Sequence, residues 1–219
     1  SSPRALAAYR LSIETALAGG AKEIVLTGVH LGSWGYDYNT HLTQLIKTIL
    51  RETDTPRLRL SSLEPWDLSP DFFSLWTSPR LMPHLHLPLQ SGSESTLRRM
   101  ARKTTPASFR ELVSAAREAI PDVAISTDII AGFPGETEET AWETINFINS
   151  LNPDDTGFYV ATPYPGTPMY EQVVKNGWLR VTDFDKYDTA TPTFETPDLS
   201  MERLREIKYK AHQKFYLRP

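Results

Sequence analysis

Hydrophobic and polar positions in this chain switch repeatedly between a helical and a strand-like period. Residues 4–17 follow the helical period and are closed by Gly19-Gly20. A β-branched run over 23–29 predicts a strand. Residues 41–52 then place Leu42, Leu45, Ile46, Ile49 and Leu50 at helical spacing. Residues 57–62 alternate as a strand does, 70–76 form a short helix behind a Ser69 cap, and 84–89 form another strand. Helices over 93–100 and 108–119 precede 123–131, an apolar run that predicts a buried strand. Residues 140–151 carry Trp142, Ile145, Phe147 and Ile148 as a helix, 157–162 form a last strand, and 169–176 form a helix ended by Gly177. Residues 181–198, with Pro192 and Pro197, show no period. Ser200 caps a final helix over 201–216, in which early Glu202 and Glu206 and late Lys208, Lys210 and Lys214 complement the helix dipole.

Strand and helix alternate throughout, the pattern of an α/β protein with a parallel sheet and right-handed crossovers. About five strands are visible, whereas eight close the common parallel barrel. A partial, open barrel or an open sheet is therefore expected. The period breaks near Val181, so residues 1–180 are read as the core and 181–219 as an irregular segment plus a C-terminal helix packing on it.

Composition narrows the function classes. The chain has 219 residues, a net charge of −4 and a pI near 5.8, which gives no general drive toward nucleic acid or acidic membranes. Arg98, Arg99, Arg102 and Lys103 form a local basic cluster that fits either a patch for a polyanion or a solvated helix face. There are no cysteines, which excludes disulfides and thiolate metal sites within this sequence. Residues 5–17 are interrupted by Arg10 and Glu14 and do not form a signal peptide. No apolar run reaches membrane-spanning length, so a soluble, cytoplasmic protein with no membrane partner is expected. Ser1-Ser2-Pro3 and Arg218-Pro219 read as ends cut from something longer or altered for expression.

The candidate chemistry gathers where strands end. Asp128-Ile129-Ile130-Ala131-Gly132-Phe133-Pro134-Gly135-Glu136 passes from an apolar run through a glycine turn into an acidic helix start. Gly132 and Gly135 remove side chains, so a ligand can lie against bare backbone. Comparable tips are Thr27-Gly28, Ser61-Ser62-Leu63-Glu64-Pro65, Pro88-Leu89-Gln90-Ser91-Gly92 and Thr162-Pro163-Tyr164-Pro165-Gly166-Thr167-Pro168. Ligands of parallel α/β sheets bind outside the carboxyl ends of the strands. Thr27, Ser62, Gln90 and Ser91 offer hydrogen bonds to an amine, carboxylate or ribose, and Glu64 and Glu136 suit an ammonium or a ribose diol. Each residue also has a plain reading, as a turn glycine or, for Glu136, as part of an acidic first turn. The loop with Trp34, Tyr36 and Tyr38 fits a substrate mouth or a surface loop burying its own aromatics. His84 and His86 face one side of a strand, and with His30 they suit either metal ligation or packing. Phosphate-loop, dinucleotide and nucleophile-elbow signatures are absent.

These tips resemble a known family. The segments 23–32, 57–65, 86–93 and 128–137 match the radical SAM superfamily in content and order, and residues 20–140 are most similar to the tRNA methylthiotransferases. The resemblance implies a six-stranded partial (β/α) barrel and S-adenosylmethionine binding. Thr27 and Gly28 would contact the methionine amino group. Ser62 and Glu64, then Gln90 and Ser91, would sit at the next two strand tips, and Gly132, Phe133 and Gly135 near the adenine. It implies a transferase that inserts sulfur and a methyl group into a modified adenosine of tRNA. A reduced 4Fe–4S cluster would give one electron to the sulfonium, with a flavodoxin or ferredoxin as reductant. The family's Cys-x-x-x-Cys-x-x-Cys motif is absent, so the chain is expected to be a fragment lacking the first strand and the cluster loop, inactive alone and without catalytic or metal-binding residues of its own. Residues 158–168 and 214–219 look more like cobalamin-binding radical SAM proteins. That leaves a cobalamin-dependent methyltransferase or cyclase with a small-molecule substrate, or a non-catalytic binding domain, as alternatives. The edge bared at 23–29 predicts poor solubility.

Overall fold

The computed structural model describes residues 3–68 and 71–218. These form two compact units, one running up to Pro88 and resuming over Glu111–Ser126, the other formed by Leu89–Arg110 and the chain from Thr127 onward. The expected Ser69 cap lies outside the described residues.

The first unit holds helix α1 (Pro3–Ala18), strand β1 (Ile24–Leu26), helix α2 (Leu42–Glu52), strand β2 (Leu58–Leu60) and strand β3 (His84–His86). β1 and β2 pair in parallel with Ile24 opposite Leu58 and Leu26 opposite Leu60. β3 pairs in parallel with the first residues of β4 (Ala124–Ala131), His84 opposite Ala124 and His86 opposite Ser126. α2 buries Leu42, Leu45, Ile46 and Ile49 along one face, as its sequence period requires. β1 is shorter than the expected 23–29, because Val25 is exposed and Thr27–His30 are exposed too, with Val29 wholly so. β-propensity there has no neighbouring side chains to pack against. The segment expected as a helix over 70–76 is a 3₁₀ turn, Phe72–Thr77, bent at Trp76.

The second unit holds α3 (Glu94–Arg99), the rest of β4, α5 (Glu138–Leu151), β5 (Asp155–Val160), α6 (Pro168–Lys175) and α7 (Met201–Tyr216), while α4 (Pro106–Ala119) is shared by the two units along the chain. Gln90 bridges Ile129 in parallel, and β5 lies beside β4. α5 begins two residues before the expected 140, because Thr137 and Thr140 form a reciprocal cap. Asn152 ends it in the left-handed region, φ 54°. α7 contacts both α5 and β5, burying Leu204, Ile207, Ala211 and Phe215. The stretch after Val181 is not featureless. It contains a 3₁₀ turn (Phe184–Lys186), and Phe194 bridges Leu179 and packs with Ala161 and Val173.

β4 departs in one respect from a strand buried on both faces. Ile125, Thr127 and Ile129 are buried, but Ser126, Asp128 and Ile130 are only half-buried. One face is fully packed, and the other is half-buried with two polar residues on it.

Candidate functional site

The second unit carries a glycine loop built on the end of β4. Gly132 and Gly135 both adopt positive φ, 79° and 83°. A Cβ on Gly132 would stand 2.4 Å from Cδ2 of Leu204 on α7, so the backbone here is pressed against a helix and accepts no side chain. The Gly132 N–H donates to the Glu136 carboxylate at 2.5 Å. Glu136 is only 1% exposed, and burial lifts its pKa from the ordinary 4.5 to about 7, against the lowering effects of the Gly132 N–H and the Arg99 charge. Glu136 therefore precedes the first helical turn, which begins at Glu138, and its carboxylate is engaged inside the loop. It is an internal brace of the loop, and Thr137 caps α5 instead.

Gln90 continues the ladder beside β4. Its N–H donates to the Asp128 carbonyl at 2.8 Å, and its carbonyl accepts from the Ile130 N–H at 2.9 Å. It holds a positive φ of 75°, which a non-glycine residue adopts at a cost of about 1–2 kcal/mol. The residue is 8% exposed, and its Oε1 is buried without a hydrogen-bond partner. Gln90 lines a cavity of about 440 Å³ together with Asp128, Ile130, Phe133, Tyr159 and Thr162. An unsatisfied buried acceptor at the edge of such a cavity suits an N–H donor of a ligand.

Ser91 turns the other way. Its hydroxyl pairs with Thr144 Oγ1 on α5 at 3.0 Å and accepts the Ser93 N–H at 3.1 Å, with no exposed surface. Gly92 lets α5 approach, since a Cβ would lie 2.8 Å from the Thr144 Cα. This serine fastens the tip to the helix behind it.

In the first unit, parallel pairing brings the β1 and β2 tips together. Thr27 Oγ1 donates to Ser61 Oγ at 3.4 Å, with Thr27, Gly28 and Ser62 exposed and Glu64 half-buried. Nothing lies closer than 3.7 Å to a Cβ placed on Gly28, so that position is open. Beyond these tips lies a cavity of about 600 Å³, walled by the 3₁₀ turns after β1 and β2. Tyr36 lines it and is 53% exposed, whereas Trp34 turns inward and donates to the Tyr9 hydroxyl at 3.1 Å.

His30 Nε2 lies 2.5 Å from Asp67 Oδ2, and His86 Nδ1 lies 2.8 Å from Ser126 Oγ. No group of three metal-ligating side chains forms among the described residues. The sequence reading missed Asp128 and Tyr159 as cavity residues and Asp67 as the partner of His30. The alternation of β4 was the available signal for Asp128, whereas Asp67 had none, because only the fold brings it to His30.

Comparison with known proteins agrees with this geometry. The model of the radical SAM superfamily matches residues 11–148. The threonylcarbamoyladenosine tRNA methylthiotransferase MtaB of Thermotoga maritima is 40% identical over 150 residues, 68% of this chain and 35% of that protein. The tRNA-2-methylthio-N(6)-dimethylallyladenosine synthase of Acidothermus cellulolyticus is 38% identical over 164 residues, 73% of this chain and 33% of that protein. The chain thus spans about a third of the length of these curated relatives. In fold it is similar to the methyltransferase TsrM of Kitasatospora setae, with a TM-score of 0.64, 18% identity, and 96% of this chain and 41% of that one covered. It is also similar to coproporphyrinogen III oxidase of Escherichia coli, with a TM-score of 0.62, 15% identity, and 90% and 40% covered. The matched residues run through the paired strands and the glycine loop described above, and this chain belongs to the radical SAM superfamily.

Proposed function

We propose that this chain is the S-adenosylmethionine-handling part of a tRNA methylthiotransferase, a transferase acting on a modified adenosine. The family's cofactors are S-adenosylmethionine and a 4Fe–4S cluster. The residues present fit the first of these. The observation that carries the reading is the unpartnered Gln90 Oε1 on the 440 Å³ cavity, beside a loop whose glycines leave backbone bare. Gln90 accepts a ligand N–H, Phe133 offers an apolar face to the adenine, and the Gly132–Gly135 backbone lets the adenosyl group approach closely. Ser91 and Glu136 hold that geometry from behind. Once bound, and on one-electron reduction, S-adenosylmethionine supplies the radical chemistry for which the family is named.

The residues present do not fit the cluster. The sequence has no cysteine, and no alternative trio of ligands forms among the described residues. We therefore assign this sequence a binding and positioning role, inactive without thiolates from elsewhere. The relatives' names supply the substrate class, an N6-modified adenosine in tRNA. The reading includes a cytoplasmic location and a flavodoxin- or ferredoxin-type electron donor. No described helix is long and apolar enough to cross a membrane. Residues 1–180 act as the core, with 181–219 packing on it.

Calorimetry with S-adenosylmethionine tests the cofactor reading. Weak binding is expected, and Gln90→Leu should reduce it about tenfold, the worth of one hydrogen bond to a buried group. An unchanged affinity would rule out the assigned cavity. For the substrate, the same substitution in the full protein should lower the 2-methylthioadenosine content of cellular tRNA, read by nucleoside mass spectrometry. Unaltered content would reject the methylthiotransferase reading.

A further inference from the structure

The 600 Å³ cavity of the first unit has no part in the contacts assigned to Gln90 and the glycine loop. We propose that it binds an aliphatic polyamine, a flexible chain carrying two or more ammonium groups. This site stands beside the cofactor reading and does not rest on it.

The charge of the lining excludes an anion. Asp67 and Asp71 line the cavity, and no lysine or arginine does so among the described residues. The Asp67 side chain is only 9% exposed, and Gly32 lets it close over the turn, since a Cβ there would stand 2.6 Å from it. His30 takes Asp67 Oδ2 at 2.5 Å, and Oδ1 has no hydrogen bond among the described residues. A carboxylate nine-tenths buried, with one oxygen engaged, is short of N–H donors. Asp71 is exposed and sets a second negative charge at the rim. The N-terminus of α2 also meets the cavity, through Leu42 and Thr43, and brings about half a positive charge. That half charge does not offset two carboxylates.

The size and surface of the cavity select among cations. No trio of metal-ligating side chains forms among the described residues, and the volume is that of an organic ligand. A single ammonium neutralises one carboxylate and leaves the other. A chain with several meets both, because its methylenes rotate to fit the spacing. Leu42, Leu68 and Phe72 give those methylenes an apolar wall. Tyr36 adds a half-exposed ring, which His41 meets edge-on at 5.7 Å and 78°. An ammonium over such a ring is attracted to its face.

The test is a calorimetric titration of this chain with spermidine, paralleled by NMR of the Tyr36 and His41 rings. Binding that moves both rings is expected. N-acetyl-lysine methylamide, with one ammonium, should bind about tenfold more weakly. Asp67→Asn should weaken spermidine about tenfold, and Asp71→Asn and Tyr36→Leu about threefold each. Asp54→Asn, an equal charge change outside the lining, should leave it unaltered. If Asp67→Asn does not fold, the exposed Asp71 and Tyr36 variants decide the matter. Unmoved rings, or equal weakening by Asp54→Asn, would overturn the site. Magnesium ion moving the rings as strongly would reduce it to a diffuse counter-ion effect. Equal affinity for the lysine analogue would exclude a polyamine as its ligand, and displacement of spermidine by S-adenosylmethionine would give the cavity to the cofactor instead.

Discussion

The two cavities are made in different ways. In the second unit, the part of β4 from Thr127 onward supplies alternating side chains, and the cavity residues Asp128 and Ile130 follow from its pleat. In the first unit, β1 and β2 are three residues each, and the space is enclosed by turns that glycines allow to fold closely. A strand-built wall is legible from period, whereas a turn-built wall depends on contacts between residues far apart in sequence. His30 and Asp67, 37 positions apart, are the clearest case.

The sharpest way to test this contrast is at the glycines. Gly132→Val forces a β-branched residue into a φ of 79° and against Leu204. A loss of about 3 kcal/mol or more is expected in urea unfolding, from the left-handed backbone and the overpacking together. Gly28→Ala meets nothing closer than 3.7 Å and should change stability by less than about 0.5 kcal/mol. Comparable losses at both positions would erase the distinction between a packed loop and an open tip.

The serines give a second, smaller contrast. Ser91→Ala removes the acceptor of the Ser93 N–H in the interior, while Thr144 Oγ1 keeps the Gly92 N–H and the Thr140 carbonyl, and should cost about 1–3 kcal/mol. Ser62→Ala, at an exposed tip, should cost about 0.5 kcal/mol or less. If Ser91→Ala is as mild, its hydroxyl is not a fastener between tip and α5.

The finest effect is one of pH. Glu136 binds its proton up to about pH 7 when folded, but only to its ordinary 4.5 when unfolded. Between those values the native state carries more protons, so stability present at low pH is lost as pH rises through this window. Glu136→Gln keeps the acceptor for Gly132 and removes the titration. Its unfolding free energy should therefore fall less than that of the wild type from pH 4.5 to 7. Glu138, Asp188 and Glu195 shift below their ordinary values and act in the opposite sense, but they are common to both proteins. Parallel pH profiles would refute burial as the cause.

Much of the molecule was visible in the chain itself. The helical face of α2, the cap at Ser200, the parallel alternation and the glycine tip after β4 are local properties, because period, capping and backbone freedom act over a few residues. The lengths of the strands and the fates of particular side chains were not local. Ser91 and Glu136 looked like ligand contacts because each sits at a strand tip, yet packing against α5 and the glycine loop turned both inward. Sequence by itself determined which elements form and where the backbone needs glycine. Tertiary structure alone decided which polar groups were left without partners, because hydrogen-bond satisfaction depends on what the rest of the fold brings alongside.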